Sequence, residues 1–202
     1  RRMLRRHALY GRDTVDLLWR QRPPRRLRLM LLCDVSGSME RYSSFLVQFM
    51  YALRRELPQL EVGVFATRMT FITELLDDRD LAGSLARVTA QVRDWGGGTD
   101  IGKALGEFND RHARAMLRSK TIAVILSDGW DRGDAQAMRL QIERLRRCVH
   151  RLVWLNPLLG TEGYEPLCRG IRTALPHLDY FLPAHNLASL AAAARTLRTL
   201  WH

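Results

Sequence analysis

The sequence predicts an α/β fold, a mostly parallel sheet covered by helices on both faces. Three observations predict it. Two apolar runs, Leu27–Cys33 (interrupted only by Arg28) and Thr121–Leu126, read as strands buried on both sides. Amphipathic segments of helical length alternate with the strands, the pattern of parallel crossovers. A chain of 202 residues that is 47% hydrophobic is ample for one such core.

The elements follow in order. After the first strand, Arg41 to Leu57 keeps Leu46, Phe49, Met50, Leu53 and Leu57 at helical spacing until Pro58 stops it. Glu61–Ala66 and Thr70–Leu75 read as a hairpin around Thr67-Arg68-Met69. A helix is expected from Asp80 to about Val92. Gly96-Gly97-Gly98 is a loop, and Ile101–Ala115 a helix with Ile101, Ala104, Leu105 and Phe108 inward. Beyond the second buried strand, Asp134 can cap a helix reaching about Arg147. Val149–Leu155 is a strand ended by Asn156-Pro157. A short helix near Pro166–Ala174, a short strand Asp179–Leu182 and a closing helix striped with Leu187, Leu190, Ala194, Leu197 and Trp201 complete the chain.

Charge divides the chain. The net charge is +11, and residues 1–28 hold ten Arg against Asp13 and Asp16, a net of +8 that leaves +3 for the rest. A basic arm, residues 1–26, therefore precedes a nearly balanced body, residues 27–202, with Pro23-Pro24 near the junction. Such an arm suits nucleic acid or an acidic protein. Neither aromatic interleaving nor a nucleic-acid motif accompanies it, so a solvated arginine-rich surface is favoured and nucleic acid is an unlikely partner. No apolar stretch is long enough to span a bilayer, and no signal-peptide core follows the basic start. Cys33, Cys148 and Cys168 are odd in number without CxxC spacing, as for free thiols in a reducing compartment. A soluble, cytoplasmic protein is expected. It starts at Arg1 and reads as a piece of a longer chain.

Ligands of parallel sheets bind where strands end, at the point where strand order reverses. The first buried strand ends in Asp34-Val35-Ser36-Gly37-Ser38, the second in Ser127-Asp128-Gly129, and Thr99-Asp100 opens a helix between them. Hydroxyls of Ser36, Ser38 and Thr99, with carboxylates of Asp34 and Asp128, suit a hard cation: Mg²⁺, or Mn²⁺ or Ca²⁺. Gly37 is expected to turn the loop so that both serines face one point. An inner shell rich in neutral hydroxyls leaves the ion hungry for an outside carboxylate, which makes a binding device. Asp34-x-Ser36-x-Ser38 alone is a weak motif that a helix cap could explain; the ordered set with Thr99 and Asp128 is far more specific.

That set resembles the metal-ion-dependent adhesion site of von Willebrand factor A (VWA) domains. The whole body resembles the CoxE-like bacterial subfamily, through CDVSGSM (33–39), VGVFATRMTFIT (62–73), WGGGTDIGKAL (95–105), SDGWDRGD (127–134), VWLNPLLG (153–160) and the 174–190 stretch. The resemblance implies a Rossmann-like doubly wound sheet of about six strands, order 3-2-1-4-5-6, with one antiparallel edge strand. It makes residues 27–202 a VWA-type domain. It implies Mg²⁺ held by Ser36, Ser38 and Thr99, with Asp34 and Asp128 acting through water, and no catalysis. It further implies a MoxR-type AAA+ ATPase as partner, with or without a client enzyme that supplies an Asp or Glu to the metal. The implied task is metal-cofactor maturation of a molybdenum enzyme such as carbon monoxide dehydrogenase.

Other chemistries fit less well. A phosphohydrolase of the haloacid dehalogenase class needs a second Asp where Ser36 stands. Val35-Ser36-Gly37 lacks the first Gly of a nucleophile elbow. Neither a P-loop lysine nor GxGxxG follows Gly96–Gly98. The six histidines show no zinc spacing. Two residues stay open: Asp100 adds a carboxylate of unassigned role, and Trp130 is either an exposed interface residue on the metal rim or tucked into the core edge.

Overall fold

The computed structural model describes residues 28–77, 80–92, 95–117 and 120–199. The basic arm and Trp201 lie outside the described residues, as do the side chains of Leu187, Ala194 and Leu197. Six strands form one sheet: β1 (Arg28–Asp34), β2 (Leu60–Phe65), β3 (Met69–Phe71), β4 (Thr121–Leu126), β5 (Arg151–Asn156) and β6 (Tyr180–Pro183). Their order is β3-β2-β1-β4-β5-β6, and every pairing is parallel except β2 with β3. Strand order reverses between β1 and β4, whose carboxyl ends carry the two polar clusters.

The period-two alternation of the strands sorts their side chains into two cores. Leu29, Leu31 and Cys33 of β1, with Ile122, Val124 and Leu126 of β4, face one side. There they meet Leu46 and Met50 of α1 (Ser43–Glu56), Val88 of α2 (Leu81–Gln91) and Leu190 of the last helix. Met30, Leu32, Ala123 and Ile125 face the other side. Their partners are Ile101, Leu105 and Phe108 of α3 (Ile101–Arg111), Met138 and Ile142 of α5 (Ala135–Cys148), and Ile171 of α6 (Arg169–Ala174). The short α4 (Ala113–Met116) and the closing α7 (Leu187–Thr199) complete three layers. Because both faces are covered, β1 and β4 need continuous apolar sequence, and that is why they are legible.

Several boundaries differ from the sequence reading. Gly37–Tyr42 is a 3-10 segment, and α1 begins only at Ser43. The second hairpin strand stops at Phe71 rather than Leu75. Thr73 ends the ladder: its hydroxyl accepts the Val62 amide at 2.9 Å and donates to Glu61 Oε2 at 2.9 Å, and the chain turns into a 3-10 helix. The expected helix Ile101–Ala115 breaks at His112, whose ring lies edge-on to Phe71 with centroids 4.7 Å apart. Its carbonyl then accepts the amides of Ala115 and Met116.

The caps follow the expected chemistry. Asp134 accepts the amides of Gln136 and Ala137, and Asp80 those of Ala82 and Gly83. Each cap satisfies two donors that the first helical turn leaves without intrahelical partners. Asp134→Ala should lower unfolding free energy by about 1 kcal/mol in urea denaturation. An unchanged midpoint and slope would show that α5 is held by its apolar face alone.

Candidate metal centre

The site is assembled by backbone ties between three loops. The β1 loop and the glycine loop are stapled twice: Gly37 N donates to Gly97 O, and Gly96 N to Val35 O, both at 2.9 Å. Asp100 N donates to Ala66 O just beyond β2, and Arg132 N donates to Thr99 O at 3.0 Å. Thr99 is thus tied through its own segment to the loops after β1, β2 and β4. Asp34 ends β1, and the other four expected site residues, Ser36, Ser38, Thr99 and Asp128, lie in the segments that follow or face it at the switch point.

Asp34 is fully buried. Its Oδ1 accepts the Ser36 amide at 2.9 Å, and its Oδ2 accepts the Ser127 hydroxyl at 2.6 Å. The Ser36 and Ser38 hydroxyl oxygens lie 3.3 Å apart. Ser36, Thr99 and Asp128 are buried, while Ser38 is exposed. Asp128 Oδ1 accepts the Trp130 amide at 3.0 Å. Burial pushes the Asp34 carboxyl up to about 6; its hydroxyl and amide partners oppose the rise, and the neighbouring Asp128 charge adds to it. Burial raises Asp128 as well, against the Trp130 amide, the Ser38 hydroxyl and the positive charge of Arg41. Two desolvated carboxyls therefore share a strand edge with a hydroxyl pair. Among the described residues no cluster of three His, Cys, Asp or Glu side chains is placed to hold a metal.

A family model described as "VWA domain containing CoxE-like protein" matches residues 1–190. The chain belongs to the CoxE-like VWA family. Solved structures agree on the fold. The von Willebrand factor type A protein from Catenulispora acidiphila aligns at TM-score 0.58 and 17% identity, over 85% of this chain and 42% of that one. BatB from Bacteroides thetaiotaomicron aligns at 0.53 and 16%, over 87% and 98%. Proximal thread matrix protein 1 from the mussel byssus, with a zinc-occupied MIDAS motif, aligns at 0.54 and 18%, over 86% and 46%. This chain thus spans less than half of the Catenulispora and mussel chains. Among curated proteins none matches.

Within this CoxE-like VWA domain Gly37 acts differently from expectation. Gly37 does not adopt a positive φ; a Cβ there would stand 2.9 Å from the Gly96 carbonyl oxygen. It permits the close approach of the two loops rather than a sharp turn. Gly96 has φ +76°, whereas a Cβ on Gly98 would meet nothing. Asp100 caps α3 by accepting the Lys103 amide at 2.8 Å, which settles its structural task. Trp130 is 62% exposed, so it stands on the rim and not in the core edge.

Two supporting residues escaped the sequence reading. Ser127 holds Asp34 and accepts the Gly129 amide at 2.9 Å. Asp131 Oδ1 accepts the Ile101 amide at 2.9 Å and so pins the start of α3 beside Thr99. The position of Ser127 directly after an apolar strand was a usable signal. Asp131 had none, because its partner lies thirty residues away.

Proposed function

We propose that this CoxE-like VWA domain binds a protein partner through a divalent cation held by Ser36, Ser38 and Thr99, with Asp34 and Asp128 acting through water. The observation that carries the reading is the convergence of the DxSxS, Thr99 and Asp128 loops at the β1–β4 switch point. The donor chemistry fits a hard cation such as Mg²⁺ or Mn²⁺, which takes oxygen ligands and retains waters. The bonds of Asp34 to the Ser36 amide and the Ser127 hydroxyl support a role through water, in which its carboxylate orients the site and adds negative charge behind the ion. Neutral hydroxyls leave net positive charge on the ion, and an Asp or Glu of the partner completes the shell. The mussel protein's MIDAS motif is occupied by zinc, which supports a divalent cation in a domain of this fold. VWA domains generally act as interaction modules, which favours binding over turnover.

Family membership supports the finer reading: an accessory protein working with a MoxR-type AAA+ ATPase in maturing the metal cofactor of a molybdenum enzyme such as carbon monoxide dehydrogenase. Among the described residues no helix is long and apolar enough to cross a membrane, and a cytoplasmic site of action fits this task. The test mixes the purified chain with the MoxR-type ATPase of the same genome. Association should appear with Mg²⁺ or Mn²⁺ and vanish with EDTA. Binding that persists unchanged in chelator defeats the reading.

A further inference from the structure

Beside the metal centre lies a groove of about 670 Å³, lined by Trp130, Leu158, Tyr164, Leu167, Cys168 and Arg169, among others. Only three large hydrophobic side chains among the described residues are conspicuously exposed, and two of them, Trp130 at 62% and Leu167 at 65%, border this groove. Large apolar groups held together in water mark contact surfaces more often than accidents of packing.

The groove adjoins the metal centre through the Asp128–Trp130 segment. Trp130 follows Asp128 by two residues, and its amide is held by the Asp128 carboxylate. Cys168 Sγ lies 3.6 Å from Asp128 O and 3.4 Å from Gly129 O. The opposite wall hangs on Asn156, whose Oδ1 accepts the amides of Leu158 and Leu159 and whose Nδ2 donates to the Tyr164 hydroxyl at 3.0 Å.

The exposed indole also stands on a fixed backbone. Gly129 has φ +79°, and a Cβ there would collide with the Ile171 side chain. A Cβ on Gly170 would collide with the Gly129 carbonyl oxygen, so the two glycines let the loop lie flat on α6. Arg169 then donates to the carbonyls of Asp131 and Gly133. Such a scaffold holds an apolar side chain out in water at little ordering cost when a partner arrives.

Charge selects the guest. Exposed Arg41, Arg132 and Arg169 belong to the segments around the centre and favour a carboxylate-bearing segment. Asp131 and Glu165 also border the groove and disfavour a second acid inside it. We infer that the groove receives a bulky apolar side chain, aromatic or aliphatic, from the same partner segment whose carboxylate caps the metal. The inference rests on the metal-dependent reading above and adds the second recognition element of that partner: an acid with a large apolar residue close by in sequence.

The test uses capped alanine hexapeptides carrying one Asp, with or without one Phe placed one to four positions away. Binding to the full chain in Mg²⁺ is followed through the indole ¹H–¹⁵N signals, with Trp130 assigned by its loss in Trp130→Phe. The best Phe peptide should bind about ten-fold tighter than the Phe-free peptide, since burying a phenyl ring is worth somewhat more before ordering costs. Trp130→Ala and Leu167→Ala should each erase most of that gain and leave Mn²⁺ affinity, measured with the metal alone, unchanged. Equal affinity of all peptides, or a Phe gain that survives both substitutions, overturns the inference while leaving the metal site intact. Absence of Mn²⁺ binding by the wild-type chain overturns the underlying reading and the inference with it. A Phe gain indifferent to EDTA breaks the coupling to the metal and also overturns it. A dimer in Mg²⁺ that Trp130→Ala dissolves would give the groove to a second copy of this chain, against the inference.

Discussion

Asp34→Asn should leave the domain folded and cut its affinity for Mg²⁺ or Mn²⁺ by about a hundred-fold or more, at the upper end of what loss of an orienting group beside a metal costs. Asn is isosteric. Its oxygen can still accept the Ser36 amide, and its nitrogen can donate to Ser127 Oγ once that hydroxyl rotates. What disappears is the negative charge at the end of β1. The metal-free protein should meanwhile gain from the change. In the folded state the buried carboxyl is raised to about 6, above its ordinary value of 3.8. Between those values the native state holds the extra proton, so stability falls as pH rises from about 4 to about 6. A rise of that size costs the metal-free protein roughly 3 kcal/mol at most. In EDTA, wild-type stability should therefore decline over that window, and the Asn variant should be flatter and more stable at pH 7. Saturating metal should reverse the order of the two proteins at pH 7. Calorimetric titration with Mn²⁺ and urea denaturation across pH measure both effects. Undiminished metal affinity in the variant would remove Asp34 from the site.

How legible this was depended on the distance over which each feature is specified. β1 and β4 are written as apolar runs, Leu29–Cys33 and Ile122–Leu126 at their centres, because both faces of the sheet are covered, and their ends followed directly. The caps at Asp80 and Asp134 are equally local. The five candidate ligands could be proposed from sequence because each lies in or beside a loop at a strand end or a helix start, so their order along the chain maps onto one edge. Where the sequence reading failed, a distant partner decides the outcome. The second hairpin strand looks continuous through Leu75, yet Thr73 bonds across to Glu61 and Val62 and stops it. Gly37 looks like a turn residue, and only the approach of Gly96 reveals a steric role. Trp130 is undecidable from its neighbours; the collision avoided between Gly129 and Gly170 fixes its exposure, and those residues are forty-one positions apart.

The same long-range logic links the core to the site through Trp154, the largest fully buried side chain among the described residues. It projects from β5 into the α3–α5 face, and its indole nitrogen donates to the Ser127 carbonyl at 2.8 Å. Ser127 in turn donates to Asp34. A single core residue thus fixes the height of the hydroxyl that orients the β1 carboxylate. Trp154→Ala should destabilise the domain by about 3–5 kcal/mol through lost burial and the cavity left behind. That corresponds to a fall in melting temperature on the order of 10 °C for a domain of this size. Trp154→Phe separates packing from positioning. The phenyl ring keeps much of the buried area but leaves the Ser127 carbonyl without its donor, at a cost of about 1–3 kcal/mol. It should also weaken Mn²⁺ binding measured at a temperature where the variant is fully folded. If Trp154→Phe lowers stability but leaves metal affinity untouched, the indole serves packing alone and Ser127 holds Asp34 without help from the core. If both fall together, the metal centre is built on the second core layer as much as on its own loops.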